Sequence, residues 1–268
     1  MTHVDAAPDG ARGPLLVVGA TDLELEGIVA ALEDRTAART AWGPAVRGDL
    51  VGRTVVVQAL GLGKANTAAG LATAIAELRP AAVLQVGIGG AYVGSFLSVG
   101  MAMLATEDLQ LDLGLRRPEG WADWGALGFP LRPSTPDAWV ADAIERGGTP
   151  ARAVAIDTDR ALTDAVVTAT GLPRGRFATL DAVTHDVHLG SAMQAAFDVS
   201  VESMEGAAAA QTARALGVPF AELRAVSNVV GERDKTRWDL RGAVRVARDA
   251  ALRSLEALAV DPRWGSER

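Results

Sequence analysis

A three-layer α/β fold, with a central mostly parallel or mixed sheet flanked by helices, is predicted by three features of this 268-residue sequence. Short continuous apolar runs, Leu15 to Ala20 and Ala82 to Val86, have the character of strands covered on both faces. Helical patterns follow such runs, so strands and helices alternate along the chain. A hydrophobic content of 49% is enough to bury a full core.

Residues 1–13 are rich in Pro, Gly, Ala and Asp and read as a disordered leader, with residues 14–268 forming one domain. The strand Leu15 to Ala20 passes into a helix at Thr21-Asp22, either of which can cap it. Glu24 and Glu26 then fall in the first turn, where the helix dipole favours acids, and capping alone accounts for them. Val51 to Leu60 is the next strand. Gly61-Leu62-Gly63 leads from it into a helix over Ala65 to Leu78, a tight turn rather than a dinucleotide motif, because Asn66 replaces the third glycine of G-x-G-x-x-G. Ala82 to Val86 runs into Gly87-Ile88-Gly89-Gly90-Ala91, read as a loop whose small residues let the backbone approach a ligand.

Val99 to Ala105 is expected to be a strand, followed by a long loop from Thr106 to Pro133 that carries Arg116, Arg117, Trp121, Trp124 and Phe129. These side chains suit either a substrate or a subunit interface. Helical patterns cover Pro136 to Glu145 and Arg160 to Thr170, and Arg176 to Leu180 is a strand ending on Asp181-Ala182-Val183-Thr184. Glu202 and Glu205 are expected to open an alanine-rich helix reaching Leu216. The strand Phe220 to Val226 is interrupted by Glu222 and Arg224 and leaves on Ser227-Asn228, a simple turn or part of a site at a strand's carboxyl end. A terminal amphipathic helix spans Trp238 to Leu258.

Composition narrows the function. There is no cysteine and there are three histidines, which excludes thiolate metal sites and disulfides and leaves too little histidine for a zinc cluster. A net charge of −7 without a basic block argues against nucleic acid. No apolar run approaches the ~18 residues of a membrane span, and the N-terminus lacks a signal-peptide pattern. The expected protein is cytoplasmic and binds a small molecule, with no membrane and no nucleic acid as partner.

Several motifs resemble the nucleoside phosphorylase and nucleosidase superfamily: VESMEGAAAA followed by VPFAELRAVSNVV, the N-terminal GATDLELEG and the glycine stretch VGIGGA. Asn228 and the tail VVGERDKTRW are most similar to the futalosine hydrolase branch, which acts in menaquinone biosynthesis. The resemblance implies a nucleoside phosphorylase-like fold, N-glycosyl hydrolysis, a nucleoside substrate, no cofactor or metal, and a homo-oligomer. It gives Glu24 the attacking water and Glu205 the ribose hydroxyls, with Met204 against the sugar. Val183 takes the purine-stacking position, where relatives often have an aromatic, and Thr184 a backbone contact to the base edge. Ser227 positions Asn228, and the stretch around Gly89 excludes bulk solvent.

Two departures from the family bear on the substrate. Methylthioadenosine nucleosidases carry Asp where this chain has Asn228; an amide cannot act as a general acid, but it can donate a hydrogen bond to O6 or N7 of a 6-oxopurine. Hypoxanthine is therefore the expected leaving group. Bacterial phosphorylases have Arg before the glycine stretch where this chain has Gln85, which favours water over phosphate as nucleophile. The alternatives are a 6-oxopurine nucleoside phosphorylase, a methylthioadenosine/S-adenosylhomocysteine-type nucleosidase, and a catalytically silent nucleoside-binding protein. Arg116, Arg117, Trp121 and Arg233 are the candidates for the aryl carboxylate on the 5′ side of futalosine.

Overall fold

A computed structural model describes residues 13–116, 118, 121–127, 131, 143–146 and 149–264. The expected leader thus lies outside the described residues except for Gly13, as do Arg117 and Phe129.

The first half supplies β1 (Leu15–Gly19), α1 (Asp22–Ala31), β2 (Glu33–Arg39), β3 (Pro44–Leu50), β4 (Arg53–Ala59), α2 (Lys64–Leu78), β5 (Ala82–Ala91) and β6 (Ala102–Gln110). Two short ribbons follow, β7 (Leu115–Arg116) with β8 (Ala122–Asp123) and β9 (Ala143–Arg146) with β10 (Thr149–Arg152). The remainder is β11 (Val154–Asp157), α3 (Arg160–Thr170), β12 (Arg174–Thr179), α4 (Val187–Phe197), β13 (Val199–Ser203), α5 (Gly206–Ala215), β14 (Phe220–Val229) and α6 (Leu240–Val260).

Strands β5, β14, β6, β12 and β13 pair in succession, and β13 pairs back onto β5, so this part of the sheet closes on itself. Strands β1, β4, β3 and β2 extend the sheet from β5, and β11 from β6. Parallel and antiparallel pairings both occur, so of the two expected forms the sheet takes the mixed one. One apolar layer forms where Leu25 and Ile28 of α1, Leu162 and Val166 of α3, and Ala243, Ala247 and Leu255 of α6 cover β1, β4, β5 and β14. A second forms where Leu71, Ala74 and Ile75 of α2 meet Ala209, Ala210 and Ala213 of α5 over the opposite side. The alanine run of α5 combines the strongest helix former with the smallest side chain that can lie close to a sheet.

Several expectations are corrected. Glu202 does not open a helix: it sits on β13, whose Val199 and Val201 are fully buried, and the helix begins only at Gly206. A three-residue spacing of acids fits a helix start, but the alternation of β-branched residues before it sets the strand. The glycine stretch 87–91 is no loop. It is the second half of β5, paired along its length with β14. Ser227 and Asn228 likewise belong to β14 rather than to a turn. Strand β6 begins later than expected and takes up Thr106 to Gln110 from the supposed loop. Ala143–Glu145, read as helix, lie on β9, and the rest of that stretch, 136–142, is outside the described residues.

Strands β2 and β3 and helix α4 were not anticipated. The sequence of β2, EDRTAAR, is polar because it is an edge strand with a mostly exposed burial pattern.

Candidate active site

A cavity of about 320 Å³ opens beside the carboxyl ends of β1, β5 and β14 and the end of β13. This is where ligands bind in open α/β sheets. It is lined by Glu24, Gly89, Val183, Met204, Glu205, Ser227 and Asn228, all of them expected site residues.

Glu24 is the third residue of α1 and only 5% exposed. Its Oε2 accepts from Ala20 N at 3.1 Å, Thr21 N at 3.0 Å and Thr21 Oγ1 at 3.0 Å. The capping role that the sequence suggested is therefore real, and it leaves the other oxygen for the cavity side. Oε1 accepts from Ile88 N on β5 at 3.0 Å. A carboxylate oxygen has a further lone pair for an incoming O–H.

Glu205 stands at the N-cap position of α5, its side chain making no capping bond, and is 3% exposed. Its Oε1 accepts from Gly63 N at 3.1 Å, and its Oε2 lies 3.3 Å from Arg224 Nη1. The Gly61-Leu62-Gly63 turn thus aims a backbone N–H at a carboxylate. Gly61 and Gly63 both have positive φ, +98° and +85°, which glycine adopts without a Cβ penalty.

Arg224 is the buried centre of this end of the cavity. Its Nε donates to Glu222 Oε1 at 2.8 Å and its Nη1 to the Ile88 carbonyl at 3.3 Å. Burial opposes its charge, but Glu222, Glu205 and Glu24 together raise its pKa further. A Cβ at Gly87 would come within 2.5 Å of Arg224 Nη1 and 2.8 Å of Glu24 Oε1, so that glycine makes room for charged side chains. Asp108, fully buried under α5, is pushed well above the ordinary aspartate range by burial and by Glu222, against the hydrogen bond from Thr179. Neither Arg224 nor Glu222 was singled out as a site residue. The available signal was E-L-R inside an apolar central strand, because charges buried there need partners.

At the opposite wall, Asn228 is held in one orientation. Its Oδ1 accepts from Ser227 Oγ at 2.7 Å, and its Nδ2 donates to the Val229 carbonyl at 3.0 Å. A flipped amide would set oxygen against the Val229 carbonyl. The second N–H of Nδ2 remains for a ligand. The strand register explains why Asn228 faces this way: Val226 pairs with Gly89 and Asn228 with Gly90, so Ser227 is the extra residue of a bulge. Without the bulge, Asn228 would share the face of Arg224 and Val226.

Glu202, also missed as a site residue, lines the cavity at 8% exposure. It accepts from Thr184 N at 3.0 Å, Thr184 Oγ1 at 2.5 Å and the Tyr92 hydroxyl at 3.0 Å. Burial raises its pKa, opposed by the Thr184 and Tyr92 hydrogen bonds and by the charge of Arg233. Thr184 itself is buried behind this carboxylate and does not line the cavity, and its N–H is committed to Glu202.

The four candidates for the 5′ side separate. Trp121 packs edge-on against Phe197 at 5.6 Å between ring centroids, inside a core cluster, and does not line the cavity. Arg116 borders an adjoining cavity of about 260 Å³ that shares Val183 with the first. Arg233 lies 5.5 Å from the ring centre of Trp238, which lines the main cavity. Arg117 is outside the described residues. Among the described residues no helix is long and apolar enough to cross a membrane, and no cluster of His, Asp and Glu is suited to a metal.

A family model described as the phosphorylase superfamily matches residues 14–259. The chain belongs to that superfamily. It is 36% identical over 224 residues to futalosine hydrolase of Thermus thermophilus, covering 84% of this chain and 89% of that one. It is 26% identical to 5′-methylthioadenosine/S-adenosylhomocysteine nucleosidase of Anoxybacillus flavithermus, covering 90% and 94%. The fold matches that nucleosidase from Neisseria meningitidis, solved with methylthio-immucillin-A, at a TM-score of 0.75 and 24% identity, covering 91% and 99%. Membership in this superfamily, with such relatives, makes the chain an enzyme of the N-glycosyl hydrolase class. The sequence resemblance to the superfamily and to its futalosine hydrolase branch is thereby borne out.

Proposed function

We propose that this enzyme hydrolyses the N-glycosidic bond of futalosine, releasing hypoxanthine and leaving dehypoxanthine futalosine, a step of menaquinone biosynthesis. The observation that carries the reading is the oriented Asn228 amide, whose oxygen is taken by Ser227 and whose nitrogen is left to donate. A 6-oxopurine presents acceptors at O6 and N7. Adenine presents an amino donor at position 6, which would meet another donor.

In the proposed reaction the C1′–N9 bond breaks with its electron pair leaving on the base, and Asn228 stabilises that charge by hydrogen bonding. Water attacks C1′ as its proton passes to Glu24, whose carboxylate is held by Ala20, Thr21 and Ile88. Glu205, fixed between Gly63 and Arg224, accepts from the ribose hydroxyls, with Met204 against the sugar and Val183 against the base. Arg233 beside Trp238 is the better placed of the described cations for the aryl carboxylate.

Water rather than phosphate as nucleophile is supported by the charges. Among the described residues that line the cavity, the cation is Arg224, and it is already engaged by Glu222 and Glu205. Gln85 on β5, the position of the phosphorylase arginine, is buried and does not line the cavity.

The test is incubation with futalosine in phosphate-free buffer, following hypoxanthine. Release without phosphate supports the proposal. Release that depends on phosphate would assign a phosphorylase instead, and faster release of adenine from methylthioadenosine would assign the related nucleosidase.

A further inference from the structure

We infer that Glu202 reads the N1–H of the departing base, so that Glu202 and Asn228 together select a 6-oxopurine from its two edges. The inference rests on the base assignment proposed above and adds a second, independent determinant to it. Glu202 on β13 and Asn228 on β14 are both register partners of the same residue, Gly90 of β5. Partners in a row project to one face of a sheet, so both side chains rise beside a residue that has none. A Cβ at Gly90 would stand 3.3 Å from Asn228 Nδ2. The two backbones are separated by two strand spacings, about 10 Å, which leaves room for a flat bicyclic base hydrogen-bonded at both edges.

The hydrogen-bonding capacity of Glu202 fits this role. An ionised carboxylate has about four acceptor sites. Oε2 takes two donors, Tyr92 Oη and Thr184 Oγ1, while Oε1 takes one, Thr184 N. One acceptor site remains on Oε1 of a side chain that lines the cavity. The N1 atom of hypoxanthine bears hydrogen and that of adenine a lone pair, so the vacant site suits the first base and repels the second. The neighbouring Thr184 N–H, a donor that would suit adenine N1, is already occupied by Glu202. Glu202 therefore both supplies an acceptor and withdraws a donor.

The experiment is calorimetric binding of free hypoxanthine and adenine to the wild-type enzyme and to Glu202→Ala and Glu202→Gln, with thermal unfolding to confirm that each variant is folded. Glu202→Ala is expected to weaken hypoxanthine about ten- to a hundredfold, the worth of a hydrogen bond to a charged group, and to leave adenine unchanged or improved as Thr184 N–H is released. Glu202→Gln keeps an oxygen for Thr184 and the base and is expected to fall between wild type and Glu202→Ala. Equal weakening of both bases, or no change in either, would overturn the inference.

A second measurement needs no variant. Hypoxanthine labelled with ¹⁵N at N1 should show a protected, downfield N1–H proton when bound to the wild type, and an N1–H that exchanges as it does in free solution would equally overturn the inference. If the wild type binds adenine as tightly as hypoxanthine, the base assignment itself falls. If instead futalosine is not cleaved but hypoxanthine binding still depends on Glu202, the reaction assignment falls and this inference stands.

Discussion

At one end of the cavity Glu205 lies 3.3 Å from the Arg224 guanidinium, which is also bonded to Glu222. At the other end Glu202, at similar burial, has no ion pair among the described residues and is held by Tyr92 and Thr184. Both arrangements keep a carboxylate in a low-dielectric wall, by different physics. A buried cation makes the charge of its partners a condition of folding, and removing it leaves those charges uncompensated. Neutral donors hold a carboxylate more loosely in charge, which is why burial still raises the pKa of Glu202. The proposed sugar end is thus tied to stability, and the proposed base end is free to set specificity.

Substitutions can break this contrast. The largest effect is expected from Arg224→Met, which strands Glu222 and Glu205 and should cost about 3–5 kcal/mol in denaturant unfolding, with loss of activity. A loss of stability below about 1 kcal/mol, the level of an exposed pair, would remove the distinction between the two ends. Glu24→Gln should lower kcat by about 10²–10⁴-fold, as expected for a lost general base, with a smaller effect on unfolding, because the Gln oxygen can keep the donors of Ala20 and Thr21 and only the Ile88 N–H loses its acceptor. Steady-state kinetics beside thermal unfolding separate the two.

Asn228→Asp should move base preference toward adenine-bearing nucleosides by roughly ten- to a hundredfold in kcat/KM, the worth of one or two hydrogen bonds to a charged group. Competition between futalosine and methylthioadenosine measures it, and an unchanged preference would sink the role given to the amide.

The smallest effect is expected from Asp108→Asn, through pH. Asp108 has a raised pKa in the folded state, so the native protein binds its proton more tightly than the unfolded chain does. Its contribution is therefore fully present below the ordinary aspartate pKa and is lost as pH rises toward the raised value. Asn stays neutral and can donate to Glu222, so the variant should be as stable as wild type at low pH and lose less stability as pH rises. Urea unfolding at pH 5 and pH 8 checks the sign.

The local parts of the fold were legible. Thr21 and the acids after it mark the start of α1, and Arg160 to Thr170 is helical as its pattern predicts. Glu24, Glu205 and Asn228 were legible through motifs, and the structure brings them to one cavity. Glu202 was visible as an acid but assigned to the wrong element, since a carboxylate three residues before another fits a strand end and a helix start equally well. Of the partners of Arg224, Glu222 lies two residues away on the same strand and was within reach of the sequence, whereas Glu205 and the Ile88 carbonyl lie on other elements and meet it only because β14 pairs with β5 beside the start of α5.

By itself the sequence determined the alternation of strands and helices and the caps, because these follow from propensities and patterns within a few residues, while Glu24, Glu205 and Asn228 stood out only through the resemblance of their motifs to the superfamily. The tertiary structure decided which way those groups point. Strand β14 lies against β5 with one extra residue at Ser227, and that single slip turns Asn228 to the face where Gly90 and Glu202 meet it. Register arises from pairing between strands distant in sequence, and with a side-chain period of two, one residue changes the face.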